Sequence, residues 1–177
     1  MRTTRLPRFR RLPWLCLLLL AVGALAPPAS AAPMRGMRPS EAFRIQARDI
    51  KDDLQTGNYS KAESGARRLY EHFGDSGNDI ESSGATTLLG RILREQGKYA
   101  EAETLLRQAL ARRERIFGET DDHTITNRFL LAKTLIPLGK YAEADTVLKR
   151  ALDAQRRSGR RGGIEELRIV NLLGLVQ

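Results

Sequence analysis

Apolar residues in the middle of the chain fall at helical steps. Leu88, Leu89, Ile92 and Leu93 share one face of a segment predicted as helix over residues 86–96, and Gly97 ends it. The pattern resumes at Tyr99, where Ala102, Leu105, Leu106, Ala109, Leu110 and Ile116 form a second apolar face and predict a helix over 99–117. Two amphipathic helices joined only by Gly97 and Lys98 fold back on one another as a helical hairpin.

The same phrase is then written again. GKYAEAETLLRQAL, starting at Gly97, returns as GKYAEADTVLKRAL, starting at Gly139, 42 positions on. Under that shift Leu88 meets Leu130 and Leu172, Leu89 meets Leu131 and Leu173, Gly90 meets Ala132 and Gly174, and Leu93 meets Leu135. Tyr99, Ala102, Leu106 and Ala109 fall on Tyr141, Ala144, Leu148 and Ala151. A fixed period of this length marks a stacked repeat, in which a unit covers its apolar face only against its neighbours. At each joint glycine is expected to end one helix, tyrosine to begin packing the next, and alanine to permit close contact. Gly90 and Ala132, with Ala102 and Ala144, leave room for facing side chains to approach the backbone.

Counted from Ser83, residues Leu89, Gly90, Leu93, Gly97, Tyr99, Ala102, Leu106 and Ala109 stand on the signature positions of the tetratricopeptide repeat, which this chain resembles. Leu131, Ala132, Leu135, Gly139, Tyr141, Ala144, Leu148 and Ala151, counted from Ile125, repeat them. That repeat usually has a period of about 34 residues, and the 42 here is similar to its kinesin-light-chain subtype. In that subtype the extra residues lengthen the second helix and its exit loop, and Arg113-Glu114-Arg115-Ile116-Phe117-Gly118 resembles the lengthened end. The resemblance covers residues 83–177. It implies an all-α fold, a right-handed superhelical solenoid of antiparallel helix pairs, with repeats at 83–124 and 125–166 and a partial repeat or capping helix at 167–177.

Residues 41–82 fit more loosely and read as a diverged N-terminal repeat. Gly57-Asn58-Tyr59-Ser60-Lys61-Ala62-Glu63 parallels the later joints at a spacing of 40, with Ala66 where Leu106 would stand. The subtype's Asp-His-Pro-Asp loop falls on Thr120-Asp121-Asp122-His123, without the proline and with the histidine displaced. One unit later the stretch from Arg156 to Gly163 has lost the counterparts of Ile116 and Phe117 and gained glycine, so its helix is expected to end sooner.

Composition changes the picture mainly at the N-terminus. The 177 residues carry 30 Lys and Arg against 21 Asp and Glu, a net charge of +9. Arg2, Arg5, Arg8, Arg10 and Arg11 precede the apolar run from Trp14 to Ala26, which Pro27-Pro28-Ala29-Ser30-Ala31 closes. This is the layout of a secretory signal peptide over residues 1–31, with residues 32–40 as a linker. The run is short for a bilayer span, which takes about 20 apolar residues, so no transmembrane segment is expected after cleavage. The expected location is exported, periplasmic or extracellular if the source is bacterial. Beyond residue 31 the charge falls to 25 basic against 21 acidic residues, and the only cysteine, Cys16, is gone. No disulfide framework and no thiol nucleophile remain.

Candidate chemistry is sparse. His123 beside Asp121 and Asp122 is a weak metal or general-base signal, outweighed by the reading that Asp122 or Thr124 caps a helix starting near Ile125. His72 has no suggestive neighbours. The basic cluster from Arg156 to Arg161 lacks the interleaved aromatics of a nucleic-acid surface and reads as a solvated loop. No phosphate loop, catalytic triad or carboxylate pair stands out, so an enzyme is unsupported, and no cofactor, metal or nucleic acid is expected.

In the family the first helices line a concave groove that binds peptides. The resemblance puts Thr87, Phe129 and Asn171 at one groove position, Arg91, Lys133 and Leu175 at another, and Arg94 one turn beyond Arg91. Such cations favour another protein's acidic segment or C-terminal carboxylate; plain solvated helix faces remain the competing reading. The expected function is therefore an exported scaffold for protein–protein interaction. Two alternatives stay open: a regulatory module or truncated remnant of a larger multidomain protein, and self-association through the C-terminal helix, where Leu172, Leu173 and Val176 lack cover.

Overall fold

The computed structural model describes residues 38–74, 77–159 and 163–176. The expected signal peptide and most of the linker lie outside them. Among the described residues the chain forms seven helices and no strand: α1 (Glu41–Gln55), α2 (Tyr59–Phe73), α3 (Asp79–Glu95), α4 (Tyr99–Phe117), α5 (Asp122–Leu135), α6 (Tyr141–Arg157) and α7 (Ile164–Leu173). Each packs on the next, and α1, α3 and α5 also touch in series, so the first helices of the pairs share one side of the stack.

The joints are built alike. Gly57, Gly97 and Gly139 have φ of 79°, 79° and 73°, a left-handed conformation that glycine adopts without steric cost. The amide of the next residue then returns to the last helical turn: Asn58 N donates to Asp53 O at 2.9 Å, Lys98 N to Leu93 O at 2.9 Å and Lys140 N to Leu135 O at 3.0 Å. Tyr59 and Tyr141, expected to start the packing, are instead about half exposed. Packing starts at Ala62, Ala102 and Ala144, all fully buried.

Close approach is set by small residues. A Cβ on Gly90 would lie 3.0 Å from Leu106 Cγ and 3.4 Å from Ala102 O, so the bare backbone of α3 seats the Leu106 side chain of α4. In the diverged first pair the exchange is reversed. Gly65 of α2 sits so near α1 that a Cβ would meet Ile50 Cγ1 at 2.8 Å, which accounts for the buried Ala66 where the later helices carry leucine.

Helix α4 runs over the predicted residues, whereas α3 begins seven residues before the predicted start at 86. The cause is a buried but polar first half. Ser83, Thr86 and Thr87 donate back to the carbonyls of Ile80, Ser82 and Ser83 at 2.7–3.0 Å, so they are buried with their hydroxyls satisfied and leave no apolar pattern to read. Helix α6 ends at Arg157, two positions before the equivalent of Phe117, as its glycines predicted. Helix α5 is capped by Asp121, not by Asp122 or Thr124: the Asp121 carboxylate accepts from His123 N at 2.8 Å, and Thr124 is buried in the first turn.

Charges tie the second helices together. Lys98 Nζ donates to both carboxylate oxygens of Glu63 at 2.9 Å, while Arg67 bridges Glu63 at 2.8 Å and Glu101 at 3.0 Å. One unit on, Lys140 donates to both oxygens of Glu103 at 2.8 Å, and Arg107 bridges Glu103 and Glu143. The joints at Gly97 and Gly139 therefore reach back to the preceding unit through Lys98 with Glu101 and Lys140 with Glu143. The pairs they meet are Glu63 with Arg67 and Glu103 with Arg107.

The hydrogen bond from Lys98, supported by Arg67, lowers the Glu63 pKa from 4.5 to about 2. At Glu103 burial works to raise the pKa, but the hydrogen bonds from Lys140 and Arg107 prevail and the net shift is downward. A carboxyl with a depressed folded pKa contributes stability that is complete above its unfolded value and lost as pH falls through the folded one.

Two outcomes are expected. In urea unfolding, Leu106→Ala should lose about 2–5 kcal/mol, as a cavity against Gly90 requires, while Leu175→Ala at the exposed end should stay within about 0.5 kcal/mol. In a pH series of the same measurement, Glu63→Gln should be less stable than the parent near neutrality and should lose less stability between pH 4.5 and about 2.

Candidate functional site

A cavity of about 550 Å³ opens among α1, α3, α5 and the end of α4. Its floor is apolar, from Phe43 and Ala47 on α1, Leu88 on α3, Phe117 on α4 and Leu130 on α5. Phe43 packs edge-on against Phe73 at 5.2 Å between centroids. It also lies over Gly84, where a Cβ would fall 2.8 Å from its ring. Arg44, Arg48 and Lys51, spaced by four and three residues along α1, put three cations on one rim, and Arg91 of α3 adds a fourth. Arg113 of α4 is the fifth; among the described residues that line the cavity there is no aspartate or glutamate, though Arg44 also pairs with Glu41 at 3.0 Å.

Arg113 is the unusual member. It is 9% exposed, its Nη1 donates to His123 O at 2.8 Å, and its Nε has no hydrogen-bond partner. Burial pushes the guanidinium down to about 10, with Asp121 pulling in the opposite direction. A cation held this way, short of partners and poorly solvated, gains most from an anion that enters beside it.

Of the six groove residues expected from the sequence, Thr87 and Arg91 line this cavity. The Thr87 hydroxyl lies 2.8 Å from Ser83 O and 3.1 Å from Asn127 Oδ1, and Asn127 in turn donates to Leu106 O at 2.8 Å. Thr87 is thus tied into the contact between α3 and α5. Arg94, Phe129 and Lys133 form an adjoining cluster. Arg94 is buried against Glu95 with its Nε unpartnered, and burial lowers its pKa. Phe129 is buried beneath two cations, Lys133 Nζ 5.9 Å and the Arg168 guanidinium 4.7 Å from its centroid. Burial, then the nearby Arg94, depresses the Lys133 pKa. Asn171 is exposed on α7, outside the cavity.

The α1 cations and Arg113 were not read from the sequence. The spacing of Arg44, Arg48 and Lys51 carried the signal, but it lies in the diverged repeat, where no groove template applied. His123 lines the cavity with its ring 5.5 Å from that of Phe117, and among the described residues no three His, Asp or Glu converge as metal ligands. His72 stacks edge-on against Phe73 at 4.5 Å. In the basic cluster, Arg156 pairs with Glu166 and Arg157 with Glu119, each at 2.9 Å; residues 160–162 lie outside the described chain.

Residues 82–157 match the family model of the tetratricopeptide repeat. Among solved structures the fold is similar to that of BtubC (BKLC) from P. vanneervenii, with a TM-score of 0.65 at 22% sequence identity. That likeness covers 77% of this chain and 57% of the other, so the chain spans little more than half the length of the protein it resembles. No curated protein matches it in sequence.

Arg113→Met is expected to leave stability unchanged or raise it by up to about 2 kcal/mol, because an underpartnered buried cation is exchanged for an apolar side chain of similar length. Thermal and urea unfolding check this. A marked loss of stability would assign Arg113 to holding the fold and not to the cavity.

Proposed function

Because residues 82–157 are tetratricopeptide repeats, of the kinesin-light-chain type with its 42-residue period, we propose that the protein is an exported scaffold that binds an acidic segment of another protein in the cavity beneath α1, α3 and α5. Tetratricopeptide repeats are protein-interaction scaffolds. The observation that carries the finer reading is the cavity's lining: among the described residues it has an apolar floor, five cationic side chains and no carboxylate.

The physical basis is direct. Guanidinium groups bind carboxylates through paired charge-assisted hydrogen bonds, and Arg44, Arg48, Arg91 and Arg113 supply four of them around one volume. The floor takes an apolar side chain next to the acid, and helices fixed by the stack lose little freedom on binding. A volume of this size holds the end or a short stretch of a peptide. The cluster of Arg91, Arg94 and Lys133 extends the positive field toward α5 and steers the same kind of ligand. No residue is assigned a catalytic role and no cofactor is invoked. Export rests on the arginine-led apolar segment of residues 1–31.

Fluorescence anisotropy with labelled peptides tests the reading. Peptides that pair an apolar residue with two or three Asp or Glu should bind, and more weakly as salt rises. Arg48→Glu with Arg91→Glu should weaken binding at least tenfold, while Lys149→Glu, at the other end of the stack, should leave it unchanged. C-terminal amidation of the peptide separates a terminal carboxylate from side-chain acids as the anchor. Equal binding by the parent and the double variant would refute the assignment.

A further inference from the structure

The chain has six lysines, and four of them, all on second helices or the joints before them, pair with a carboxylate: Lys61 with Asp53, Lys98 with Glu63, Lys140 with Glu103 and Lys149 with Asp145. Lys51 of α1 lines the cavity. Lys133 of α5 does neither. It makes no ion pair among the described residues and stands outside the cavity lining, yet it is half-buried. An ammonium carries three hydrogen-bond donors, and the described residues supply no acceptor for them here.

The neighbours of Lys133 are cations from α3 and α7. Lys133 Nζ and the Arg168 guanidinium of α7 stand 5.9 Å and 4.7 Å from the centroid of the same buried ring, Phe129. Arg94 of α3 is 9% exposed and pairs with Glu95; its Nε is enclosed, so it adds charge to the cluster and not an open contact there. Burial is the main cause that lowers the Lys133 pKa, and repulsion from Arg94, Arg168 and Arg91 acts in the same direction against the pull of Glu95. The repeat does not require a charge at this position, since Leu175 stands there one unit later.

We infer that the cluster of Arg94, Lys133 and Arg168 binds the phosphoryl group of a small soluble molecule, a phosphomonoester or a diphosphate. A carboxylate brings one charge and two acceptor oxygens, whereas a phosphomonoester brings about 1.5–2 charges near neutrality and three acceptor oxygens. Lys133 and Arg168 supply the contacting donors, and the ring of Phe129 orders both side chains before the ligand arrives. Arg94 stabilises the bound charge from its buried position. A soluble molecule fits this site and a lipid headgroup does not, because Arg94 and Phe129 are buried and Lys133 half-buried, where a flat membrane surface cannot follow. Arg91, which also acts on Lys133, is shared with the cavity lining, but the phosphoryl site does not depend on the cavity's holding a peptide.

Isothermal titration of the protein with inorganic phosphate and with pyrophosphate, at constant ionic strength in chloride, tests the inference. Both should bind saturably, pyrophosphate the more tightly, and acetate at the same concentration should not displace them. Lys133→Met, shown folded by circular dichroism, should weaken binding about tenfold or more, as loss of a charge-assisted hydrogen bond implies, and Arg168→Gln at an exposed position should act in the same direction. Arg68→Gln, which removes one charge from the exposed side of α2, should leave binding unchanged. Binding that does not saturate, binding undiminished in Lys133→Met, equal losses in Lys133→Met and Arg68→Gln, or displacement by acetate would overturn the inference. So would capture of the protein by phosphatidic acid vesicles without binding of soluble phosphate, since the occupant would then be a membrane surface.

Discussion

The side chain of Leu106 resting on the bare backbone of Gly90 sets the spacing on which the rest of the stack depends. A helix pair joined by two residues has its crossing fixed by how near the helices come, and here a missing Cβ decides that. Fully buried Ala102 and Ala144 extend the same close packing along the second helices, with Leu148 behind them. Once the pairs are this tight their outer apolar residues can be covered only by another pair, so the fold propagates until something covers the last one. The first pair reaches the same end by a different exchange, Gly65 and Ala66 of α2 admitting Ile50 of α1.

That spacing also sorts the charges. On the side of the second helices, cations and carboxylates alternate from unit to unit and satisfy one another, so Glu63 and Glu103 ionise more readily than free glutamate. On the side of the first helices Arg44, Arg48, Lys51 and Arg91 gather around an apolar floor, with Glu41 pairing only with Arg44. Exposed ion pairs contribute little stability each, and the clamps act mainly to fix which helix end lies against which. The buried cations near the cavity do the reverse: Arg94, Arg113 and Lys133 all hold their protons less firmly than in water because burial works against their charge. Residues that cost the fold in this way are where a ligand has most to offer.

Much of this was legible in the sequence wherever apolar spacing and glycine carried it. Both ends of α4 follow from Tyr99 and Gly118, the early end of α6 from Ser158 and Gly159, and the hairpin joints from Gly97 and Gly139. What escaped was polar material used for packing. Ser83, Thr86 and Thr87 build the start of α3 by bonding back to their own helix, and Asn127 bridges α3, α4 and α5 from full burial. The site divides in the same way. Thr87 and Arg91, to which the repeat register points, line the cavity. The rim of α1 was missed because register fails in the diverged pair, and Arg113 because its importance comes from burial, which the sequence around it does not display. The two-unit charge clamp was readable in principle, as Glu63 and Glu103 recur with Arg67 and Arg107 four residues later.

The central claim, that the first-helix side of the stack is the binding surface and the cavity its centre, is tested most directly by amide hydrogen exchange of the protein with and without a saturating acidic peptide. Slower exchange confined to α1, α3 and the start of α5, with α6 unchanged, is the predicted result. Protection concentrated on α2, α4 and α6, or no change anywhere under saturation, would contradict it.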